Sequence, residues 1–164
     1  MDVDGVLTDG RLFHLVDQGG RLVELKGLDS QDGLALAWLA RRGIRTGIIS
    51  GRSSEGVAAR AKMLRMSFIV QGVTDKLPAF EAILREAGLQ ARQAAFIGDD
   101  LPDLPVLRRA GWAIAVRNAR PELRRAAHTV TRAPGGRGAV REVVETLLRA
   151  QGHWAELLRQ YGGD

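Results

Sequence analysis

The sequence predicts an α/β fold, a doubly wound parallel sheet with a projecting β-hairpin, and three observations predict it. From Gly33 onward, short β-branched runs alternate with segments of helical period, the pattern of successive βαβ units. Residues 11 to 26 break that pattern with two apolar stretches around Asp17, Gln18, Gly19 and Gly20, the mark of a hairpin standing outside the sheet. Acidic, hydroxyl and lysine side chains stand where strands hand over to helices, the edge at which open parallel sheets bind ligands.

The elements follow in order. "DGLALAWLARRG" (32 to 43) spaces Leu34, Ala37 and Trp38 as a helix and stops at Gly43, a natural C-terminal cap. "IRTGIIS" (44 to 50) is a β-branched strand, and "SSEGVAARAKMLRM" (53 to 66) opens on a serine cap and continues as a helix. The alternation repeats through "SFIV" (67 to 70) and "DKLPAFEAILREAG" (75 to 88), then "AAFI" (94 to 97) and "PDLPVLRRAG" (102 to 111). It continues through "WAIAV" (112 to 116) and "PELRRAA" (121 to 127), and ends with a short strand near "HTVT" (128 to 131) and the helix of "GAVREVVETLLRAQG" (138 to 152). A single domain is expected over 1–152, with a mobile C-terminal tail over 153–164 that ends in glycines.

Composition excludes several classes. There is no cysteine, so neither disulfides nor a thiolate zinc site can form, and His14, His128 and His153 are scattered. Any metal must be a hard, oxygen-seeking cation. No apolar run approaches the ~18 residues of a membrane span, and no basic and apolar leader opens the sequence, so a cytoplasmic protein without a membrane partner is expected. The net charge of +5 comes from arginines spread along helices, with Lys26, Lys62 and Lys76 as the lysines. A nucleic-acid footprint would need a basic stripe with interleaved aromatics, so no nucleic acid is expected as partner.

The strand ends carry the chemistry. Asp2 and Asp4 precede Gly5; Ser50, Gly51 and Arg52 follow the strand at 44–50; Lys76 precedes a helix; Gly98, Asp99, Asp100 and, one turn on, Asp103 follow "AAFI". Carboxylates gathered on one edge repel one another unless a cation lies between them, and Mg²⁺ takes oxygen ligands in this way. A hydroxyl and a lysine beside them suit a phosphoryl group, with one aspartate attacking phosphorus and a second protonating the leaving group. Duller readings exist for each piece. An EF-hand loop would require Asp or Asn in place of Val6 and glycine in place of Leu7. Asp99 and Asp100 read singly as helix caps, Ser50 as a turn serine and Lys76 as a surface residue. Their recurrence at successive strand ends favours one site.

With these residues in view, the chain resembles the haloacid dehalogenase-like phosphatases, whose four motifs correspond to "DVDGV", "IISGR", Lys76 and "GDDLPD". The likeness extends outside those motifs through "DGLALAWL", "VQGVTDKLPAF" and "VTRAPGGRGAVREVVETLLRAQG". The resemblance implies a Rossmann-like body without a cap domain, Mg²⁺ as cofactor, Asp2 as nucleophile and metal ligand, and Asp4 as general acid/base and carbonyl ligand. It further implies Asp99 as ligand, Asp100 as support for the metal's water shell, and Ser50 and Lys76 as holders of the phosphoryl oxygens. Gly51, Arg52 and the loop Gly135, Gly136, Arg137, Gly138 are implied substrate contacts.

The implied substrate is a phosphorylated sugar acid, an eight-carbon 3-deoxy-2-keto sugar acid phosphate on the way to lipopolysaccharide, with N-acylneuraminate 9-phosphate as the alternative. The implied assembly is a homotetramer built on the hairpins, with each site covered by a neighbour that the tail and its Tyr161 would reach. Two positions depart from the family pattern. Ser50 stands where threonine is also common, and Gln31 where relatives tend to carry a basic residue.

The start of the chain departs further. Members of the family place an apolar central strand ahead of the first aspartate, whereas here only Met1 precedes Asp2. Loss of such a strand removes side chains contributing roughly 1.5 to 3 kcal/mol each and leaves two strand edges unpaired. The expectation is therefore that the natural chain begins upstream; a non-catalytic assembly domain is the alternative if it does not.

Overall fold

The computed structural model describes residues 1–163; Asp164, the last residue of the expected tail, lies outside them. The order of elements is the predicted one. A hairpin of β1 (Phe13–Val16) and β2 (Leu22–Leu25) is followed by α1 (Ser30–Arg41), β3 (Gly47–Ile49), α2 (Glu55–Met63), β4 (Phe68–Val70) and α3 (Lys76–Ala87). Then come β5 (Ala95–Gly98), α4 (Leu104–Arg109), β6 (Trp112–Ala115), α5 (Pro121–Ala126), β7 (Thr129–Val130), α6 (Ala139–Ala150) and α7 (Trp154–Gln160). Single 3₁₀ turns at Ala91–Gln93 and Leu101–Asp103 flank β5.

Local chemistry fixes the helix starts. The Asp29 carboxylate accepts the N–H groups of Gln31 and Asp32, Ser54 Oγ accepts that of Val57, and Asp75 that of Leu77. Each cap therefore sets where a helix leaves the edge that carries the predicted site. α1 packs along α6, and α3, α4 and α5 pack in series, so helices cover both faces. Ile48, Ile49, Phe96, Ile97, Ala113, Ile114 and Ala115 are buried between them, as strands covered on both faces require. Among the described residues, no helix is long and apolar enough to cross a membrane.

The parallel strands form two separate sheets. β3 pairs with β4 in parallel, β5 with β6 and β6 with β7 in parallel, but β3 and β5 do not pair with each other. Residues 1 and 2 bridge them. Met1 donates its N–H to Gly47 O and accepts from Ile49 N, a parallel-ladder pattern, while Asp2 N donates to Ile97 O. Below that bridge runs an apolar slot of about 260 Å³, lined by Met1, Thr46, Ile49, Phe96, Ile97 and Val143 among others. Thr46 Oγ1 is buried there without a hydrogen-bond partner.

The C-terminal segment differs from the expected mobile tail. It folds as α7, and Trp38 explains why. The Trp154 ring meets Trp38 edge-on at 6.2 Å, and the Trp38 indole N–H donates to the Tyr161 hydroxyl at 3.1 Å. The Arg141 guanidinium lies 4.1 Å over the Trp38 ring, closing an aromatic and cationic clasp. The Tyr161 hydroxyl thus accepts a hydrogen bond within its own chain while its ring stays largely exposed.

Candidate active site

Asp2 is delivered to the strand-end edge by the two-sided pairing of Met1 and Asp2, and its side chain is buried. Lys76 is the first residue of α3, and its ammonium group lies 2.6 Å from Asp2 Oδ1 and 2.7 Å from Asp103 Oδ1. Asp103 is fully buried, and its second oxygen accepts the Asp99 N–H at 3.0 Å. Asp2, Asp99 and Asp103 each bring an oxygen within 4.8 Å of the others.

The electrostatics follow from this crowding. Burial, reinforced by the charges of Asp2 and Asp103, pushes the Asp99 carboxyl up to about 8. Burial and the neighbouring Asp103 also raise Asp2, against the opposing pull of Lys76. For Lys76, burial works against the charged ammonium, but Asp2 and Asp103 outweigh it and the net shift is upward. One cation among three carboxylates leaves the cluster short of positive charge. The donor set is all oxygen, and both Asp103 oxygens are already engaged, so Asp2 and Asp99 are the side chains that fit a hard divalent ion such as Mg²⁺. Gly5 makes room for that arrangement: its φ is 97°, and a Cβ there would overlap the Asp99 carboxylate.

The remaining predicted residues divide into those that join this edge and those that do other work. Ser50 is buried directly after β3, beside the Met1–Asp2 pairing, and its Oγ accepts the Arg52 N–H at 3.2 Å. Asp100 turns its carboxylate back onto the N–H of Leu101 as the cap of a 3₁₀ turn. The Asp4 carboxylate meets the Lys26 ammonium at 2.8 Å and the Thr8 hydroxyl at 3.4 Å. Arg52 is half-exposed and binds Glu24 at 2.5 Å.

The Gly135 to Gly138 loop lies against the loop that follows Asp2. Gly136 N donates to Val6 O, Gly135 N donates to Asn118 Oδ1, and Arg137 reaches Asp9 at 3.4 Å. A Cβ on Gly135 would run into the Gly5 carbonyl, so only glycine permits that approach. Asp32, fully buried, accepts the Gly138 and Arg141 N–H groups and so caps the start of α6. Two contributors escape motif reading. Asp103 was visible one turn beyond Asp99 but gave no sign that it would share Lys76. Lys26, on the far side of the hairpin turn, gave none of its contact with Asp4.

Comparison with known proteins places this geometry. Residues 64–142 match the family model described as haloacid dehalogenase-like hydrolase. The 3-deoxy-D-manno-octulosonate 8-phosphate phosphatase KdsC of Yersinia pestis is 43% identical over 150 residues, spanning 92% of this chain and 78% of the relative. The chain belongs to the haloacid dehalogenase-like hydrolases. It is a phosphatase by that kinship.

Solved structures agree. A probable YrbI family phosphatase from Pseudomonas syringae pv. phaseolica superimposes with a TM-score of 0.93 at 45% identity, covering 99% of this chain and 90% of the other. The 3-deoxy-D-manno-octulosonate 8-phosphate phosphatase of Moraxella catarrhalis, solved with magnesium, phosphate and KDO, gives 0.92 at 42% identity, covering 98% and 90%.

The raised Asp99 pKa gives this phosphatase a pH signature. Its unfolded chain releases that proton from about pH 4 upward, whereas the folded state without a cation holds it to about pH 8. Stability without divalent cations is therefore expected to fall as pH rises across that window and then level off. Because a cation displaces the proton, adding Mg²⁺ is expected to raise the melting temperature more at pH 8 than at pH 5. Thermal melts with EDTA and with Mg²⁺ at the two pH values check both signs.

Proposed function

We propose that the chain is a Mg²⁺-dependent phosphomonoester hydrolase that releases phosphate from 3-deoxy-D-manno-octulosonate 8-phosphate through an aspartyl-phosphate intermediate on Asp2. The observation that carries this reading is the buried Asp2 carboxylate held 2.6 Å from Lys76 at the strand-end edge. The substrate assignment is supported by the named activities of the Yersinia and Moraxella relatives. Such a reaction serves lipopolysaccharide precursor synthesis, inside the cell.

In the first step, Asp2 attacks phosphorus, the bond from phosphorus to the ester oxygen breaks, and Asp4 delivers a proton to the departing sugar oxygen. In the second step water attacks the acyl phosphate, Asp4 takes the water's proton, and Asp2 and inorganic phosphate are regenerated. Lys76 and Ser50 hold the phosphoryl oxygens and offset their charge. Asp2, Asp99 and the Asp4 carbonyl would hold the metal ion, with Asp100 supporting its water, and the ion would supply positive charge against the anionic ester. Arg52, Gly51 and the loop from Gly135 to Gly138 face the sugar acid.

Asp2→Asn is expected to lower kcat by at least ~10³-fold while the protein stays folded, since the amide cannot form the intermediate. Measured side by side, kcat/KM for the eight-carbon substrate is expected to exceed that for N-acylneuraminate 9-phosphate by ~10-fold or more; the reverse order would reassign the substrate.

The hairpin supports a homotetramer. Its register pairs Phe13 with Leu25 and Leu15 with Val23, which puts four apolar side chains on one face, and Phe13, Leu15 and Leu25 are exposed. Phe13→Glu combined with Leu15→Glu is expected to convert a tetramer to smaller species in sedimentation, with secondary structure unchanged.

A further inference from the structure

The other face of the hairpin carries charge. His14 pairs with Glu24 in the register, and Lys26 follows two residues later on the same side. Lys26 is 4% exposed at its side chain, and its ammonium lies 2.8 Å from the Asp4 carboxylate and 3.3 Å from Glu24. Glu24 in turn binds Arg52 at 2.5 Å and faces His14 at 3.7 Å. Arg52 also comes within 3.8 Å of Asp4, so Asp4, Lys26, Glu24 and Arg52 close a ring of alternating charge between the loop after Asp2 and the hairpin, in which Lys26 is the nearer cation to Asp4.

Burying a lysine is costly unless it is paired, and a surface hairpin does not need one to fold. What the burial accomplishes is visible at the other end of the ion pair. The Asp4 carboxylate is absent from the group of Asp2, Asp99 and Asp103 oxygens, and its strong partner is Lys26. The Thr8 hydroxyl, at 3.4 Å, is a longer and weaker contact.

We propose that Lys26 is the positioning residue for Asp4: reaching in from the hairpin, it holds the Asp4 carboxylate away from the carboxylate cluster and oriented for proton transfer, with Glu24 fixing Lys26 in turn and Arg52 the more distant second cation. The inference rests on the reading of Asp4 as the general acid. It assigns the hairpin a part in the reaction that is separate from any part in assembly.

The test exploits the leaving group. The alcohol of a sugar phosphate needs a proton as it departs, whereas p-nitrophenolate departs as a stable anion. Rapid-quench single-turnover rates of leaving-group release isolate the first step for each substrate. Lys26→Met is expected to slow release of the sugar by ~30 to 100-fold. Its effect on p-nitrophenolate release is expected to be about tenfold smaller.

Lys26→Arg, which restores the charge, is expected to recover most of the lost rate. Glu24→Gln, which leaves Lys26 in place but loosens it, is expected to show the same discrimination at reduced size, and it keeps the test alive if Lys26→Met fails to fold. Equal losses on both substrates, or no loss on either, would overturn the proposal. Asp4→Asn serves as the reference. If it does not discriminate between the substrates, the general-acid reading falls and this inference with it; if it does and the Lys26 and Glu24 variants do not, the inference alone falls.

Discussion

Two buried carboxylates, Asp2 and Asp103, share one ammonium group with the half-buried Asp99 crowded against them, and the strand-end edge is organised around that imbalance. Lys76 reaches Asp2 and Asp103 at once, so the start of α3 is tied to the start of the chain and to the turn after β5. Removing one member of such a buried group typically costs ~3 to 5 kcal/mol because the remaining charges lose their partner. Even intact, the group is deficient in positive charge, and burial together with the charges of Asp2 and Asp103 lets Asp99 hold its proton to about 8. The same deficit that penalises the cation-free fold creates affinity for a hard divalent ion, so stability and cofactor binding draw on one electrostatic source.

A cluster this tight needs backbone to come close without side chains in the way. Gly5 leaves space for the Asp99 carboxylate, and Gly135 rests against the Gly5 carbonyl. The second contact stacks the loop before α6 on the loop after Asp2. Asp32 then fixes the start of α6 from α1, accepting two backbone N–H groups in a buried position. Burial raises the pKa of Asp32, while the two donated hydrogen bonds pull it back down. A buried carboxylate of α1 thereby sets the height of the Gly135 to Gly138 loop above the site, although Asp32 touches none of the groups that do chemistry.

Much of this was legible in the sequence. The alternation of β-branched runs with helical period gave the order of elements because burial on both sheet faces imposes that pattern. Polar residues at strand ends gave Asp2, Ser50, Lys76 and Asp99 because parallel strands present that edge to ligands. What the sequence hid were choices between partners at similar reach. Asp103 and Asp100 are near neighbours in the chain, yet Asp103 turns inward to Lys76 while Asp100 caps its own turn; only the 3₁₀ geometry distinguishes them. α7 carries a helical period of its own in Trp154, Leu157, Leu158 and Tyr161, which the short glycine-ended segment masked; what the sequence hid is that this face docks on Trp38, far away in the chain. The unpaired edges of β3 and β5 were legible in the short stretch ahead of Asp2; that residues 1 and 2 would hydrogen-bond to both was not.

The hairpin joins two of these themes. A strand presents its side chains alternately to two faces, so a short two-stranded unit cannot devote both to the same purpose. Here Phe13, Leu15, Val23 and Leu25 form an apolar face, and the other face carries His14, Glu24 and Lys26 at the end near Asp4 and the exposed Val16 and Leu22 at the turn end. A register slip of one residue would exchange them, placing Leu25 near Asp4 and Lys26 on the apolar side. The turn at Asp17 resists that slip: its carboxylate accepts the N–H groups of Gly19 and Arg21, pinning the reversal that sets the register. The placement of the Lys26 charge beside Asp4 therefore traces back to a turn at the far end of the hairpin, held by hydrogen bonds that touch neither the sheet nor the site.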